Sequence, residues 1–305
     1  MKIRIGTRKS QLALWQARFV AQSLELQSVE TEVVPIETRG DKILNVSIAK
    51  IGSKGVFTEE LETLLSEGQI DIAVHSAKDL PSLLPDGFEI IAFTSREKVN
   101  DVLVSDHPID FNQPGLVVGT SSTRRIAMFR RYYPHWKTQE IRGNLQTRIE
   151  KMRSGTFDAL ALAYAGVHRM EYDSLIQAEL DSSKFTPAVG QGSLAIEAYH
   201  SLNSQKLQVI RDALNDAQTE EEVLTERSFL KTLEGGCSIP VFGLAHKSDK
   251  TINLVGGVIS LDGKELVAHK LRGHDPEKIG KSLAQEILAQ GGKEILDEIK
   301  NNENK

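Results

Sequence analysis

The alternation of short β-rich runs with longer helix-like runs constrains the fold of this chain more than any other feature. The first series reads KIRIG, SQLALWQARFVAQSLEL, TEVVPIE, FTEELETLLSEG and IDIAVH. A second series starts near residue 101 and reads DVLVS, LVVGT, STRRIAMFRRYY, TQEI, NLQTRIEKMRSG and FDALALA. Strands that alternate with helices in this way are typical of βαβ units with largely parallel sheets. We therefore predict two α/β domains.

Two segments are predicted to connect these domains. FEIIAFTSREKVND has the pattern of a strand that runs into a polar crossover, and TPAVGQGSLAIEAY, residues 186–199, has the pattern of the return. A chain that crosses twice between two domains is expected to form a cleft with a hinge.

The last third of the chain has a different pattern. TEEEVLTERSFLKTLEGG is predicted to be a helix that opens with a capping box, Thr219 with Glu222, and ends at glycine. VFGLAH, TINLVGGVIS and ELVAHKLRG alternate as antiparallel strands do, with a turn at residues 261–264. A closing helix has Asp275 as N-cap and Pro276 in its first position. This pattern predicts a small α+β domain.

The length agrees with several domains, because 305 residues are too many for one ordinary core. We predict domain 1 from residues 1–95 plus 193–213, domain 2 from residues 99–189 and domain 3 from residues 217–305. The predicted fold class is α/β. Mainly parallel sheets surround a cleft in the first two domains, and the third domain has an antiparallel sheet.

The composition, with 40% hydrophobic and 26% charged residues, is typical of a globular protein. The start, MKIRIGTRKS, lacks the apolar segment of a signal peptide, and no apolar run approaches the roughly 18 residues of a membrane span. The single cysteine excludes an internal disulfide and suits a reducing compartment. We expect a cytoplasmic protein with no membrane partner.

The charge is distributed unevenly along the chain. A formal net charge of -5 gives no indication of a nucleic-acid partner. However, Lys and Arg repeatedly stand beside Gly, Ser and Thr, in GTRKS, AKIGSKG, SAKD, GTSSTRR and IRGNLQTR. One such cluster is usually a solvated face, but five in loop-like contexts favour a bound anion.

The stretch GTSSTRR, residues 119–125, follows an apolar strand and opens a helix. Backbone N–H groups at a helix start bind anions, and the hydroxyls of Thr120, Ser121 and Ser122 would add to such a cradle. Arg124 and Arg125 would supply charge from the first turn. The alternative is an ordinary N-cap followed by surface arginines.

IRGN, residues 141–144, repeats this arrangement, with Arg142, Gly143, a predicted N-cap at Asn144 and Arg148 one turn later. Ligands of open α/β folds bind at the carboxyl ends of parallel strands. Bidentate arginine pairing suits carboxylates and phosphates equally.

HSAKDLP, residues 75–81, places Lys78 and Asp79 after the strand IDIAV. The pair is either a surface ion pair or, in a cationic cleft, a lone carboxylate that stabilises positive charge or relays a proton. His75 is predicted to be a satisfied core histidine.

Two loops have glycine-rich contexts. AKIGSKGVF, residues 49–57, would be a lid in which Lys50 and Lys54 close over a bound anion. EGGCSIP holds Cys237, which is either a buried, inert thiol or, given its turn-forming neighbours, an exposed one. The histidines never fall at metal-ligand spacing, so no metal is expected.

These stretches together resemble the porphobilinogen deaminase (hydroxymethylbilane synthase) family. The matching stretches are IGTRKSQLALWQ, TRGDKI, GSKGVFTEELE, DIAVHSAKDLP, VGTSSTRR, IRGNLQTR, ALAYAGVHRM, PAVGQG and EGGCSIP. The resemblance implies three domains, the first two similar to periplasmic binding proteins, and a monomer. It also implies a transferase of tetrapyrrole (heme, porphyrin) biosynthesis, whose dipyrromethane cofactor is joined through a thioether. Four molecules of porphobilinogen are added head to tail with loss of ammonia, and water releases hydroxymethylbilane.

The resemblance also assigns residues. The catalytic residues would be Asp79, Arg8 and Arg142. The cofactor would be attached covalently to Cys237 and contacted by Lys78, Asp79, Thr120, Ser121, Ser122, Arg124, Arg125, Arg142 and Gly143. The substrate would be bound by Arg8, Ser10, Arg142, Arg148, Arg169 and Gln191, under the lid residues Lys50 and Lys54. Each porphobilinogen carries an acetate and a propionate, so a growing chain needs fixed cations.

Three positions depart from the family pattern: Thr123 replaces a common leucine, Ser53 a usual glycine and Asn100 a frequent hinge arginine. A non-catalytic anion-binding protein on the same cleft is the alternative function, and EGGCSIP is the stretch that such a binder would not need.

Overall fold

The computed structural model describes residues 1–38, 58–236 and 239–303, and these residues form three β-sheets. The strands are β1 (Lys2–Arg8), β2 (Glu30–Ile36), β3 (Ile72–Ser76), β4 (Phe88–Phe93), β5 (Asp101–Val104), β6 (Val117–Gly119), β7 (Lys137–Gln139), β8 (Ala159–Ala163), β9 (Ile176–Glu179), β10 (Leu194–Tyr199), β11 (Val241–Ser248), β12 (Thr251–Ile259) and β13 (Leu266–Gly273). The α-helices of this part are α1 (Gln11–Glu25), α2 (Glu59–Ser66), α3 (Thr123–Tyr132), α4 (Leu145–Lys151), α5 (Tyr164–Arg169), α6 (Ser204–Leu214), α7 (Ala217–Thr232), α8 (Pro276–Ile287) and α9 (Lys293–Glu303).

The first sheet has the order β2-β1-β3-β10-β4. β1 is parallel to β2 and β3, whereas β10 is antiparallel to both of its neighbours, so four of the five strands point in one direction. Helix α1 begins where the Ser10 hydroxyl accepts a hydrogen bond from the amide of Ala13. Its buried side chains Val20 and Leu24 pack against Ile5 of β1.

The second sheet repeats this plan with the order β7-β6-β8-β5-β9. β6, β7 and β8 are parallel, and β5 runs antiparallel between β8 and β9. Helix α3 covers one face, where Phe129 lies against Phe185 with ring centroids 4.9 Å apart.

The third sheet is the antiparallel meander β11-β12-β13. Phe229 of α7 and Leu283 of α8 are fully buried against it. The predicted N-cap is confirmed, since the Asp275 carboxylate accepts from the amides of Glu277 and Lys278. Together the three sheets confirm the predicted fold class, whereas the exact domain boundaries stay a prediction.

The predicted capping box at the start of α7 is wrong. The N-cap is Asp216, whose carboxylate accepts from the amide of Thr219 at 2.7 Å. Glu222 instead accepts from the amide of Lys247 in the third sheet at 2.9 Å. Asp216, three residues before the predicted N-cap Thr219, satisfies the first-turn donors, so the helix begins earlier and Glu222 is free to bind the sheet.

Two crossovers join the first two sheets, residues 94–100 outward and residues 180–193 on the return. They lie side by side, because the amide of Thr94 donates to the Leu194 carbonyl at 3.1 Å and the amide of Glu97 to the Gly192 carbonyl at 3.1 Å. Gly192 has φ +101, and a Cβ there would lie 2.4 Å from the Glu97 carbonyl oxygen. Only glycine fits this close approach.

Within the described residues, no helix has both the length and the apolar character needed to cross a bilayer.

Candidate functional site

Asp79 lies in a short turn after β3. The chain forms one 3-10 turn, Ala77–Asp79, and Leu80 then returns to extended backbone, as expected before Pro81. The Asp79 side chain is exposed and makes no hydrogen bond to another described residue. It therefore remains open to a ligand.

His75, four residues earlier, has the predicted structural role. Its Nε2 lies 3.0 Å from Oε2 of Glu197 on β10, and both side chains are buried. The interpretation as a satisfied core histidine is confirmed.

The hydroxyls of GTSSTRR shape the loop between β6 and α3. The Ser122 hydroxyl accepts from the amide of Arg125 and caps the helix. Ser121 donates to the Ile141 carbonyl, and the Thr120 hydroxyl accepts from the amide of Ser122 at 3.3 Å. These bonds fix two neighbouring strand ends relative to each other.

Arg124 and Arg125 point inward to one carboxylate. Nη2 of Arg124 donates to Oδ2 of Asp101 at 2.7 Å, and Nη2 of Arg125 to Oδ1 at 2.8 Å. Burial of Asp101 disfavours its ionised form, yet the two guanidiniums prevail and hold its pKa well below the usual value. Asp101 is fully buried, and Arg124 and Arg125 are buried with it. The alternative that these two residues are surface arginines is therefore excluded.

Gln191 of the return crossover connects this cluster to the Asp79 turn. Its Nε2 donates to Asp101 at 2.9 Å, and its Oε1 lies 3.4 Å from Nζ of Lys78 and 3.4 Å from Nη2 of Arg125. Burial, reinforced by the nearby Arg125 and Arg124, lowers the pKa of Lys78 to about 8, although Asp79 opposes the shift. Lys78 therefore loses its proton at a lower pH than an ordinary lysine, about one pH unit above neutrality.

Arg142 and Arg148 lie at the next strand end, as predicted. Asn144 caps α4 by accepting from the amide of Thr147 at 2.9 Å. Nε of Arg148 donates to the Gly143 carbonyl at 2.8 Å, and Nε of Arg142 lies 3.0 Å from Oε1 of Glu140. Burial and the charge of Arg125 lower the pKa of Arg148, while Asp79 opposes this effect. The two sheets therefore contribute to one electrostatic cluster.

Three other predicted site residues lie on the same edges or between the sheets. Arg8 is the last residue of β1 and Ser10 the cap of α1, on the sheet edge that carries Asp79. Arg169, at the end of α5, donates to the Gly192 carbonyl at 2.7 Å and lies 5.7 Å from the Trp15 ring centroid. Arg169 thus bridges the second sheet's unit to the first.

Some predictions fall outside the described residues: Cys237, the lid residues Lys50 and Lys54, and the departure at Ser53. Of the other two departures, Thr123 is the first residue of α3. Asn100 donates to the Leu180 carbonyl at 3.2 Å, so it joins the crossovers where an arginine was expected. In residues 1–38, 58–236 and 239–303, His, Asp and Glu form no cluster able to hold a metal.

Sequence reasoning missed Asp101 and Glu226. Glu226 of α7 is fully buried; it pairs with Arg96 at 2.6 Å and accepts from the amides of Gly190 at 2.7 Å and Ala245 at 2.8 Å. The sequence feature that indicates its burial is its position on the apolar face of the helix, three residues after Val223 and three before Phe229.

The donor set fits an acidic pyrrole ligand. Five cations, Lys78, Arg124, Arg125, Arg142 and Arg148, accompany three carboxylates, Asp79, Asp101 and Glu140, so the site keeps net positive charge. The buried Nε–H of Arg125 has no partner among the described residues, which leaves a donor for a ligand carboxylate. Fold and site together define a mixed α/β protein with a cationic site between its first two sheets, beside the two crossovers.

Comparison with known proteins places the chain within this class. The family model "Porphobilinogen deaminase, dipyromethane cofactor binding domain" matches residues 3–207, and "Porphobilinogen deaminase, C-terminal domain" matches residues 220–289. The chain is 57% identical to the porphobilinogen deaminase of Cytophaga hutchinsonii over 98% of this chain and 97% of that one. It is 51% identical to that of Desulfosudis oleivorans over 98% of each.

The chain therefore belongs to the porphobilinogen deaminase family. It is a transferase of tetrapyrrole biosynthesis, and its cofactor is dipyrromethane. Among solved structures, it is similar to the methionine binding protein MetQ, with TM-score 0.46 and 12% identity over 72% of this chain and 92% of that one. It is also similar to the VFT2 domain of Bordetella pertussis BvgS, with TM-score 0.44 and 16% identity over 74% and 92%.

Proposed function

We propose that Cys237 carries the dipyrromethane through a thioether and that the Asp79 turn is the reaction centre. The observation that carries this proposal is the exposed Asp79 carboxylate beside partly buried cations from both sheets, in particular Lys78 and Arg148. Helix α7 ends at Thr232, a few residues before the cysteine. A tethered acidic ligand starting there is complementary in charge to this cluster.

Under this proposal the residues divide into three groups. Lys78, Thr120, Ser121, Ser122, Arg124, Arg125, Arg142 and Gly143 hold the carboxylates of the cofactor; Arg8, Ser10, Arg142, Arg148, Arg169 and Gln191 hold porphobilinogen; and Lys50 and Lys54 form the lid. When bound, the dipyrromethane supplies the pyrrole carbon onto which substrate units are added.

Asp79 has the central role in the proposed chemistry. When ammonia leaves porphobilinogen, positive charge develops on the substrate's pyrrole ring, and a carboxylate beside its N–H group stabilises that charge. Arg8 and Arg142 assist in protonating the leaving amine. After four additions, water releases hydroxymethylbilane.

Intact mass spectrometry tests the attachment. The purified protein is expected to exceed its sequence mass by two pyrrole units, and Cys237→Ala should remove this excess. An unmodified thiol in protein that still makes tetrapyrrole would exclude the proposed tether. A protein that binds anionic pyrroles without turnover would instead be the non-catalytic binder.

The protein is further proposed to act as a cytoplasmic monomer with no membrane or nucleic-acid partner. The overall negative charge supports the last point. Sedimentation of the purified protein at micromolar concentration tests the monomer.

A further inference from the structure

Helix α7 contacts the Asp79 turn through Arg227. Nη2 of Arg227 donates a hydrogen bond to the carbonyl oxygen of Pro81 at 2.8 Å. Pro81 stands two residues after Asp79, and Arg227 stands ten residues before Cys237. One side chain therefore joins the helix that leads to the cysteine with the turn that carries the carboxylate.

A second contact on the same face of α7 supports the first. Val223 lies four residues before Arg227, so the two side chains share one side of the helix. Val223 is fully buried and packs in one apolar cluster with Ala77, the first residue of the turn, and Leu80, the residue after it. The helix thus holds the turn by an apolar and a polar contact.

The surroundings of Arg227 are unfavourable for a charge. Burial lowers the pKa of Arg227 to about 10, against the attraction of the Glu197 carboxylate. Glu197 is fully buried, and its Oε2 lies 3.0 Å from Nε2 of His75. Its Oε1 has no hydrogen-bond partner among the described residues. The guanidinium is therefore held in this partly buried place by the Glu197 charge and by its hydrogen bond to the Pro81 carbonyl.

Asp79 has no hydrogen bond of its own to another described residue, so its position depends on the backbone of its turn. On the β3 side, the Ala77 amide donates to the Ser193 carbonyl at 3.0 Å. On the other side, Arg227 holds the Pro81 carbonyl. We propose that Arg227 is a positioning residue that fixes the Asp79 turn for catalysis. This inference rests on the proposed role of Asp79.

A double-mutant cycle between Arg227→Met and Asp79→Asn tests the inference, with kcat and KM measured per mole of holo-protein as counted by intact mass. Arg227→Met is expected to lower kcat about tenfold or more and to change KM less than about threefold, because a misplaced carboxylate affects mainly the transition state. In the Asp79→Asn background the same change should lower kcat less than about twofold. Lys231→Met, an exposed position of the same helix, is the control and should match the unmodified protein.

A second readout is independent of turnover. Hydrogen exchange of a peptide spanning residues 76–84 should be faster in Arg227→Met and unchanged in Lys231→Met. If Arg227→Met does not fold, the cycle is run with Arg227→Lys, which keeps the charge but loses the fork geometry and should lower kcat about threefold or more.

Each outcome decides between the alternatives. Full kcat in the folded Arg227 variant, unchanged exchange, or an equal loss in both backgrounds would overturn the positioning role while leaving Asp79 in place. Near-normal kcat in Asp79→Asn alone would overturn the proposed reaction centre, and the role of Arg227 with it.

Discussion

Asp101 is the residue on which the basic side chains of the site converge. It binds Arg124, Arg125 and Gln191 at once, so a single buried carboxylate pairs with two guanidiniums and orients the amide that faces Lys78. Cations with fixed positions bind a ligand carboxylate without the entropy loss of ordering flexible side chains.

Asp101→Asn is expected to destabilise the protein by about 3–5 kcal/mol, because two buried guanidiniums lose their counter-charge. Asp106→Asn, which removes the partner of the half-exposed Arg153, is the control and should lose less than about 1 kcal/mol. Urea unfolding measures both. Equal losses would contradict the central role of Asp101.

Lys78 links the site to pH. Its folded pKa of about 8 is below the unfolded value of 10.5, so the unfolded state binds more protons between these values. The contribution of this group to stability therefore rises as the pH rises through that window. The attraction of Lys78 for ligand carboxylates falls as the pH rises through the same window, because the ammonium group loses its proton.

KM for porphobilinogen is expected to rise about two- to fivefold from pH 7 to pH 9, because Lys78, although it holds the cofactor, adds to the positive potential felt by the neighbouring substrate carboxylates until it loses its charge. Lys78→Arg should abolish this rise, since a guanidinium keeps its proton in that range. Lys137→Arg, an exposed residue of β7, is the control and should keep it. An identical profile in all three proteins would exclude Lys78 as the titrating cation.

At the level of elements, the two crossovers and helix α7 form the junction of the three sheets. Glu226 binds Arg96 of the outward crossover and the Gly190 amide of the return. It also accepts from Ala245 of β11. Hydrogen bonds accepted by one buried carboxylate thus join the two crossovers to the third sheet.

Gly192→Ala is expected to destabilise the protein by more than about 2 kcal/mol, since strain at positive φ adds to a clash with the Glu97 carbonyl. Gly155→Ala, with φ +81 and open space around the new methyl group, is the matched control and should lose about 1 kcal/mol. Thermal and urea unfolding measure the difference. Equal losses would show that the close approach does not matter.

Local patterns predicted the helices and strands well, because strand alternation, N-caps and glycine turns each depend on a few neighbouring residues. Asn144 and Asp275 cap helices as expected. The inward direction of Arg124 could not be predicted, because its partner Asp101 lies 23 positions away and carries no local signal. The antiparallel direction of β5 and β10 depends on which sheet receives each strand, and no local pattern encodes that choice.

For the molecule as a whole, a net charge of -5 coexists with a locally positive site. Such a site attracts anions over a distance of about one Debye length, roughly 10 Å at 0.1 M salt. The acidic remainder of the surface does not cancel this field at contact distance.

Arg148→Ala is therefore expected to weaken porphobilinogen binding several-fold at 0.05 M salt, with a smaller effect at 0.5 M. Arg153→Ala, which removes an exposed cation outside the proposed site, should change binding little at either concentration. Titration calorimetry in both salts provides the comparison. A loss for Arg148→Ala that is independent of salt would argue against the electrostatic role.

The placement of β10 has a consequence for biosynthesis. It lies inside the first sheet, between β3 and the edge strand β4, yet the ribosome makes it about 100 residues after β4. At roughly 5–20 residues per second, nascent chains therefore wait about 5–20 s with this sheet incomplete. Throughout that interval the flank of β3 that later pairs with β10 is an edge with unpaired backbone groups, which is open to pairing with another strand.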